Sequence, residues 1–176
     1  MNIVCSSSLA WLHISLAMLF SIRKHSHKDI INAYLIIDAD TRKTQAIQDY
    51  INSLNFKNLK ILLYSSDLIK QNISREYLQL CNSYWPLITF GKLASYAFLP
   101  FFSKAFYFDT DILILNSKID EYYDTALIDE YAAVVEESSM RYFGTHQIDE
   151  CKVSRYFNFG VALMNNEKMK NDGIID

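Results

Sequence analysis

The sequence predicts an α/β fold, a mostly parallel mixed sheet flanked by helices, and three observations predict it. Apolar runs of strand length alternate with segments of helical periodicity along the chain. Glycine and proline are scarce, four and two residues in 176, which argues against a many-turned all-β domain. Apolar residues make up 51%, enough to cover both faces of such a sheet. The length suits one domain with a real core and is short for two, so residues 1–176 are read as a single unit.

Asn2 to Cys5 reads as a short buried strand, ended by three serines. Leu9 to Ile22 has helix length and helix-forming composition and is read as a buried helix. No positive charge precedes this run and it is too short for a bilayer, so neither a signal peptide nor a transmembrane segment is predicted. Ala33 to Ile37 is a second strand. It ends at Asp38 and Asp40, before a polar helix in which Ile47, Ile51 and Leu54 recur at helical spacing. Leu59 to Tyr64 is a third strand, and Ser65 to Trp85 is irregular. Leu87 to Leu99 fits a helix with Leu93 and Ala97 on one face, closed by Pro100. Ala105 to Phe108, Ala132 to Val135 and Gly160 to Met164 complete the strands, and a last helix begins near Asn166.

Bulk charge excludes some functions. The net charge is −3 and no long basic run stands out, so nucleic acid has no electrostatic footprint here. Cys5, Cys81 and Cys151 are odd in number and far apart. They offer neither a metal spacing nor a disulfide framework, and read as reduced thiols of a cytoplasmic protein.

The sharpest chemical feature is Asp109-Thr110-Asp111, set between Phe106-Tyr107-Phe108 and Ile112 to Leu115. At a strand end, residues i and i+2 point the same way, so both carboxylates can face one ion. Hard cations such as Mn²⁺ or Mg²⁺ take oxygen ligands and can bridge a diphosphate. Thirteen aspartates give roughly one Asp-x-Asp by chance, and Asp38-Ala39-Asp40 is a second copy. That copy precedes a polar helix and reads as capping. Asp109 and Asp111 precede an apolar run and have no helix to cap. Read alone, Lys92 is a solvated helix lysine and Trp11 a core residue, while Gly160 either lets the backbone approach a ligand closely or marks a strand bulge.

Four segments, in this order and spacing, resemble glycosyltransferase family 8, which includes glycogenin and bacterial lipopolysaccharide glucosyl- and galactosyltransferases. They are Met1 to Ser7, Phe90-Gly91-Lys92-Leu93 with Leu99-Pro100, Tyr107 to Leu113, and Tyr156 to Asn165 around an Asn-x-Gly-Val pattern. The resemblance implies a Rossmann-like nucleotide-diphospho-sugar transferase domain of the GT-A type. It implies retaining transfer of a hexose, glucose or galactose, from a UDP-sugar to a glycan or lipopolysaccharide-type acceptor. Asp109 and Asp111 would hold Mn²⁺ (or Mg²⁺), and Thr110 would lie on the donor ribose. Ser6, Ser8 and Trp11 would meet the nucleoside, Lys92 the donor sugar or phosphate, and Asn158 and Gly160 the sugar pocket. A cytoplasmic location follows, with a peripheral position at the inner membrane face compatible with it.

The departures are specific. Where the family has acidic and amide residues and then a tyrosine, this chain has Ser8, Leu9, Ala10 and Trp11. The resemblance also implies a later His-x-x-Gly-x-x-Lys-Pro-Trp-like segment, whose histidine is a third metal ligand. This segment is not among residues 1–176, so the chain is read as a donor-binding portion that is short at its C-terminus, and His146 does not replace it. Two further readings stay open: a weak or inactive relative that only binds nucleotide-sugar, and a non-catalytic interaction domain.

Overall fold

The computed structural model describes residues 1–73, 86–100, 102–136 and 157–174. Among these, the strands are β1 (Asn2–Ser8), β2 (Ile31–Asp38), β3 (Leu59–Ser65), β4 (Lys104–Phe108), β5 (Ala132–Glu136) and β6 (Phe157–Asn165). The helices are α1 (Leu12–His25), α2 (Thr41–Ser53), α3 (Asp67–Asn72), α4 (Gly91–Phe98), α5 (Lys118–Asp124) and α6 (Asn166–Asn171), with 3₁₀ turns at Leu9–Trp11 and Leu87–Phe90. One six-stranded sheet has the order β3-β2-β1-β4-β6-β5. β1 pairs in parallel with β2 and β4, and β2 with β3, whereas β6 is antiparallel to both β4 and β5.

Alternation along the strands divides the core into two layers. Ile3, Cys5, Leu35, Ile37, Phe106 and Phe108 pack beneath α1, with Met18, Leu19 and Ile22. Val4, Tyr34, Ile36 and Tyr107 face the other way, against Ile69 of α3 and Ala94 of α4. Both faces are covered, which is why these strands read as continuous apolar runs. Burial pushes the Cys5 thiol up to about 12, so it stays a neutral, unreactive thiol between layers.

Several expectations are corrected in detail. β1 continues to Ser8, because parallel pairing with β2 runs on to Asp38. The segment read as one buried helix from Leu9 starts as a 3₁₀ turn, and Trp11 is 51% exposed. Asp40 does cap α2, accepting from the Lys43 amide at 2.8 Å. Asp38 does not cap a helix; it accepts from the Ser66 hydroxyl at 3.2 Å, across the ends of β2 and β3. Helix α4 turns Ala94 and Ser95 inward and leaves Ala97 exposed, while the Leu93 side chain lies outside those described. Helices α3 and α5, of six and seven residues, are less than two turns each and too short to show a clear helical period in the sequence.

Gly91 sets the approach of α4 to the sheet. A Cβ there would lie 3.0 Å from Ser6 Cβ, 3.3 Å from Ile36 Cδ1 and 3.4 Å from Ile69 Cδ1. Helix and strand can touch only because the side chain is missing. Gly91→Val is expected to lower stability by about 1–3 kcal/mol through overpacking, measured as a fall in the denaturant midpoint. An unchanged midpoint would mean that α4 is not seated as described.

The chain leaves β1 toward β2 and β3 on one side and returns to β4 on the other. This makes the carboxyl ends of β1 and β4 the point where strand order reverses, where open α/β sheets form their ligand crevice.

Candidate functional site

At that point lies a cleft of about 660 Å³. Its β4 wall begins with Tyr107, which is 1% exposed and whose hydroxyl sits 2.8 Å from the Ser6 hydroxyl of β1. Burial holds the Tyr107 phenol well above its usual range, and the Asp109 charge adds to the effect despite the Ser6 hydrogen bond. The phenol therefore stays protonated.

Asp109 is the first residue beyond β4. Its amide donates to the Gly160 carbonyl at 2.8 Å, so β6 holds its backbone in place. Thr110 and Asp111 form a turn, with the Ile112 amide 3.4 Å from the Asp109 carbonyl. The two carboxylates thus come to the cleft across a turn, not from alternating positions of a continuing strand. The apolar residues after them are no strand either: Ile112 and Ile114 pack on the core, while Leu113 and Leu115 are exposed.

Gly160 explains how Asp109 fits. A Cβ there would lie 2.8 Å from Asp109 Oδ2 and 2.9 Å from Asn158 Oδ1. The Gly160 amide donates to Asn158 Oδ1 at 2.7 Å. The close approach expected of Gly160 is thus first an approach by the Asp109 carboxylate and the Asn158 amide group.

Lys92, near the start of α4, is no solvated lysine. Its side chain is 17% exposed and its Nζ lies 3.6 Å from Asp109 Oδ1. The ammonium stands 5.0 Å from the Tyr107 ring centroid and 5.7 Å from that of Phe159. Trp11 is likewise no core residue; it lines the cleft and is half exposed.

Of the nine residues singled out in the sequence, eight line this one cleft: Ser6, Trp11, Lys92, Asp109, Thr110, Asp111, Asn158 and Gly160. Ser8 is not among the lining residues; it pairs with Asp38 of β2, where the chain turns into the 3₁₀ segment. Tyr107, Phe157, Phe159 and the Ile88 to Phe90 turn, which carry no site role in the sequence pattern, also line the cleft. A signal for Tyr107 existed, since alternation puts it on the face opposite Phe106 and Phe108. His146 lies outside the described residues.

Two aspartates in one cleft fit a hard cation, with oxygen donors of the right kind. Among the described residues no third His, Cys, Asp or Glu joins them.

Residues 2–176 match the family described as glycosyl transferase family 8. The chain belongs to glycosyltransferase family 8. Its fold is shared by solved family 8 and other GT-A structures. The galactosyltransferase LgtC, solved with donor and acceptor sugar analogs, superposes with a TM-score of 0.70 at 17% identity, covering 97% of this chain and 60% of LgtC. The bifunctional glycosyltransferase WbbM gives 0.75 at 14% identity, covering 98% of this chain and 32% of that one. Mouse xyloside xylosyltransferase 1 gives 0.67 at 14% identity, covering 99% and 70%. This family 8 chain therefore spans about three fifths of the length of LgtC. No curated protein sequence matches it significantly. Among its described residues, no helix is long and apolar enough to cross a membrane.

Proposed function

We propose that the chain forms the donor site of a retaining hexosyltransferase that moves glucose or galactose from a UDP-sugar to a glycan or lipopolysaccharide-type acceptor. Asp109 and Asp111 would hold Mn²⁺ or Mg²⁺ against the donor diphosphate. The ion, when bound, neutralises charge that builds up as the nucleoside diphosphate departs.

The residues of the chain supply the rest. Lys92 brings a fixed positive charge to the same side of the cleft, a preorganised electrostatic contribution that needs no rearrangement during reaction. Trp11 presents an exposed indole on which a uracil ring can stack. Thr110 would meet the ribose, and Asn158 and Gly160 the sugar. One observation carries this reading: residues from four segments distant in the sequence line one cleft at the switch point of the sheet.

The test is Mn²⁺-dependent hydrolysis of UDP-glucose and UDP-galactose by the chain and by its Asp109→Ala variant. Turnover is expected to need the metal and to fall in the variant; equal rates in the two proteins would contradict the proposal. A thermal shift with UDP and Mn²⁺ separates binding from turnover, because a native-state ligand well above its Kd must raise Tm. A shift without turnover would reduce the chain to a nucleotide-sugar binder.

A further inference from the structure

We propose that Phe159 and Tyr107 are positioning residues: together they hold the Lys92 ammonium beside Asp109 and so set where the phosphate charge of a donor is met. The inference rests on the donor-binding reading above. Lysine side chains normally run their ammonium out to water. That of Lys92 is instead kept in the cleft, with its side chain 17% exposed.

Asp109 alone does not account for this. Its oxygen is 3.6 Å from Nζ, beyond the length of a charge-assisted hydrogen bond, and its side chain is 44% exposed. The two rings supply the remaining attraction. Their centroids lie 5.0 and 5.7 Å from Nζ, within the range of cation–π contact. The rings are 6.4 Å apart and inclined by 35°, forming an open V with the ammonium in reach of both.

The two walls differ in kind. Tyr107 is fixed, being buried in β4 and bonded through its hydroxyl to Ser6. Phe159 is only partly buried and stands on β6 between Asn158 and Gly160, at the unspecified position of the Asn-x-Gly-Val pattern. An aromatic residue at this position thus completes the seat. Ring faces attract the charge without taking up N–H donors in the way an oxygen does. Asp109 adds charge at 3.6 Å without a hydrogen bond, so the ammonium's three donors are left for an incoming phosphate oxygen.

The test compares the parent chain with Phe159→Leu and Phe159→Tyr. In ¹³C-labelled protein, the Lys92 ε-methylene signal is identified by its loss in Lys92→Arg. We expect it to be displaced from the other lysines by ring currents in the parent and in Phe159→Tyr, and to move back toward them in Phe159→Leu. A parent signal that coincides with the other lysines overturns the proposal, even if the leucine variant fails to fold. This measurement needs no donor, so it stands apart from any failure of the transferase reading. UDP affinity in the presence of Mn²⁺ is expected to drop roughly tenfold in Phe159→Leu and to recover in Phe159→Tyr. Equal affinity in the leucine variant and the parent would overturn the donor-facing role.

Discussion

Gly160→Ala is expected to leave the fold standing while lowering metal-stimulated UDP affinity by about 10²-fold, the order of loss that an ångström of misplacement produces at a preorganised site. The new methyl would sit 2.8 Å from Asp109 Oδ2 and 2.9 Å from Asn158 Oδ1, nearer than carbon and oxygen can approach. Both neighbours are ends of side chains that border an open cleft, so they can swing away. The strand backbone need not move, and alanine is easier to order in a strand than glycine by about 0.5–1 kcal/mol. Stability should therefore change by less than about 1 kcal/mol. The Asp109 carboxylate cannot move without leaving its place 3.6 Å from the Lys92 ammonium, in the cleft that Asp111 also lines. An unaltered affinity in a folded Gly160→Ala protein would show that the carboxylate position seen here is not the binding one.

This separation of fold from site explains which parts were legible in the sequence. The strands were legible because a sheet covered on both faces needs apolar residues at every position, and runs such as Ala33 to Ile37 stand out for that reason. Their ends were less so. The end of β1 is set by its pairing with Asp38 on β2, a long-range fact that three serines in a row conceal. Asp109-Thr110-Asp111 was found as a pattern, yet the geometry first ascribed to it was wrong. The pair reaches the cleft through a turn that β6 anchors by the hydrogen bond between Asp109 and Gly160, some fifty residues apart in the chain.

Lys92 and Trp11 show the limit more sharply. Each has an ordinary explanation on its own, as a solvated lysine and a core tryptophan. Only tertiary packing decides otherwise, by bringing Tyr107 and Phe159 around the first and leaving the second open to solvent. Phe159 went unnoticed because its part depends wholly on a lysine from another element. Asp38 and Asp40 make the converse point. The same spacing of carboxylates there serves a helix cap and a side-chain hydrogen bond to Ser66, and neither residue lines the cleft.

Asp109 should be the most sensitive position in the molecule. We expect Asp109→Asn and Asp109→Ala to lose about 10³-fold in Mn²⁺-dependent turnover, several kcal/mol of charge stabilisation at a metal site. Asp111→Ala should fold normally and lose less, since its side chain is exposed and, among the described residues, no backbone hydrogen bond to β6 anchors it as one anchors Asp109. None of these losses should be mistaken for unfolding. The Lys92–Asp109 pair is long and half exposed on the acidic side, so removing it costs about 1 kcal/mol of stability at most. Asparagine keeps the shape that Gly160 accommodates and removes only the charge, which isolates the electrostatic part. Rates and melting temperatures measured together decide the matter. If Asp109→Asn turned over UDP-sugar like the parent, with the metal still required, the ion would have to be held elsewhere, and the cleft at the ends of β1 and β4 would lose its claim to the donor.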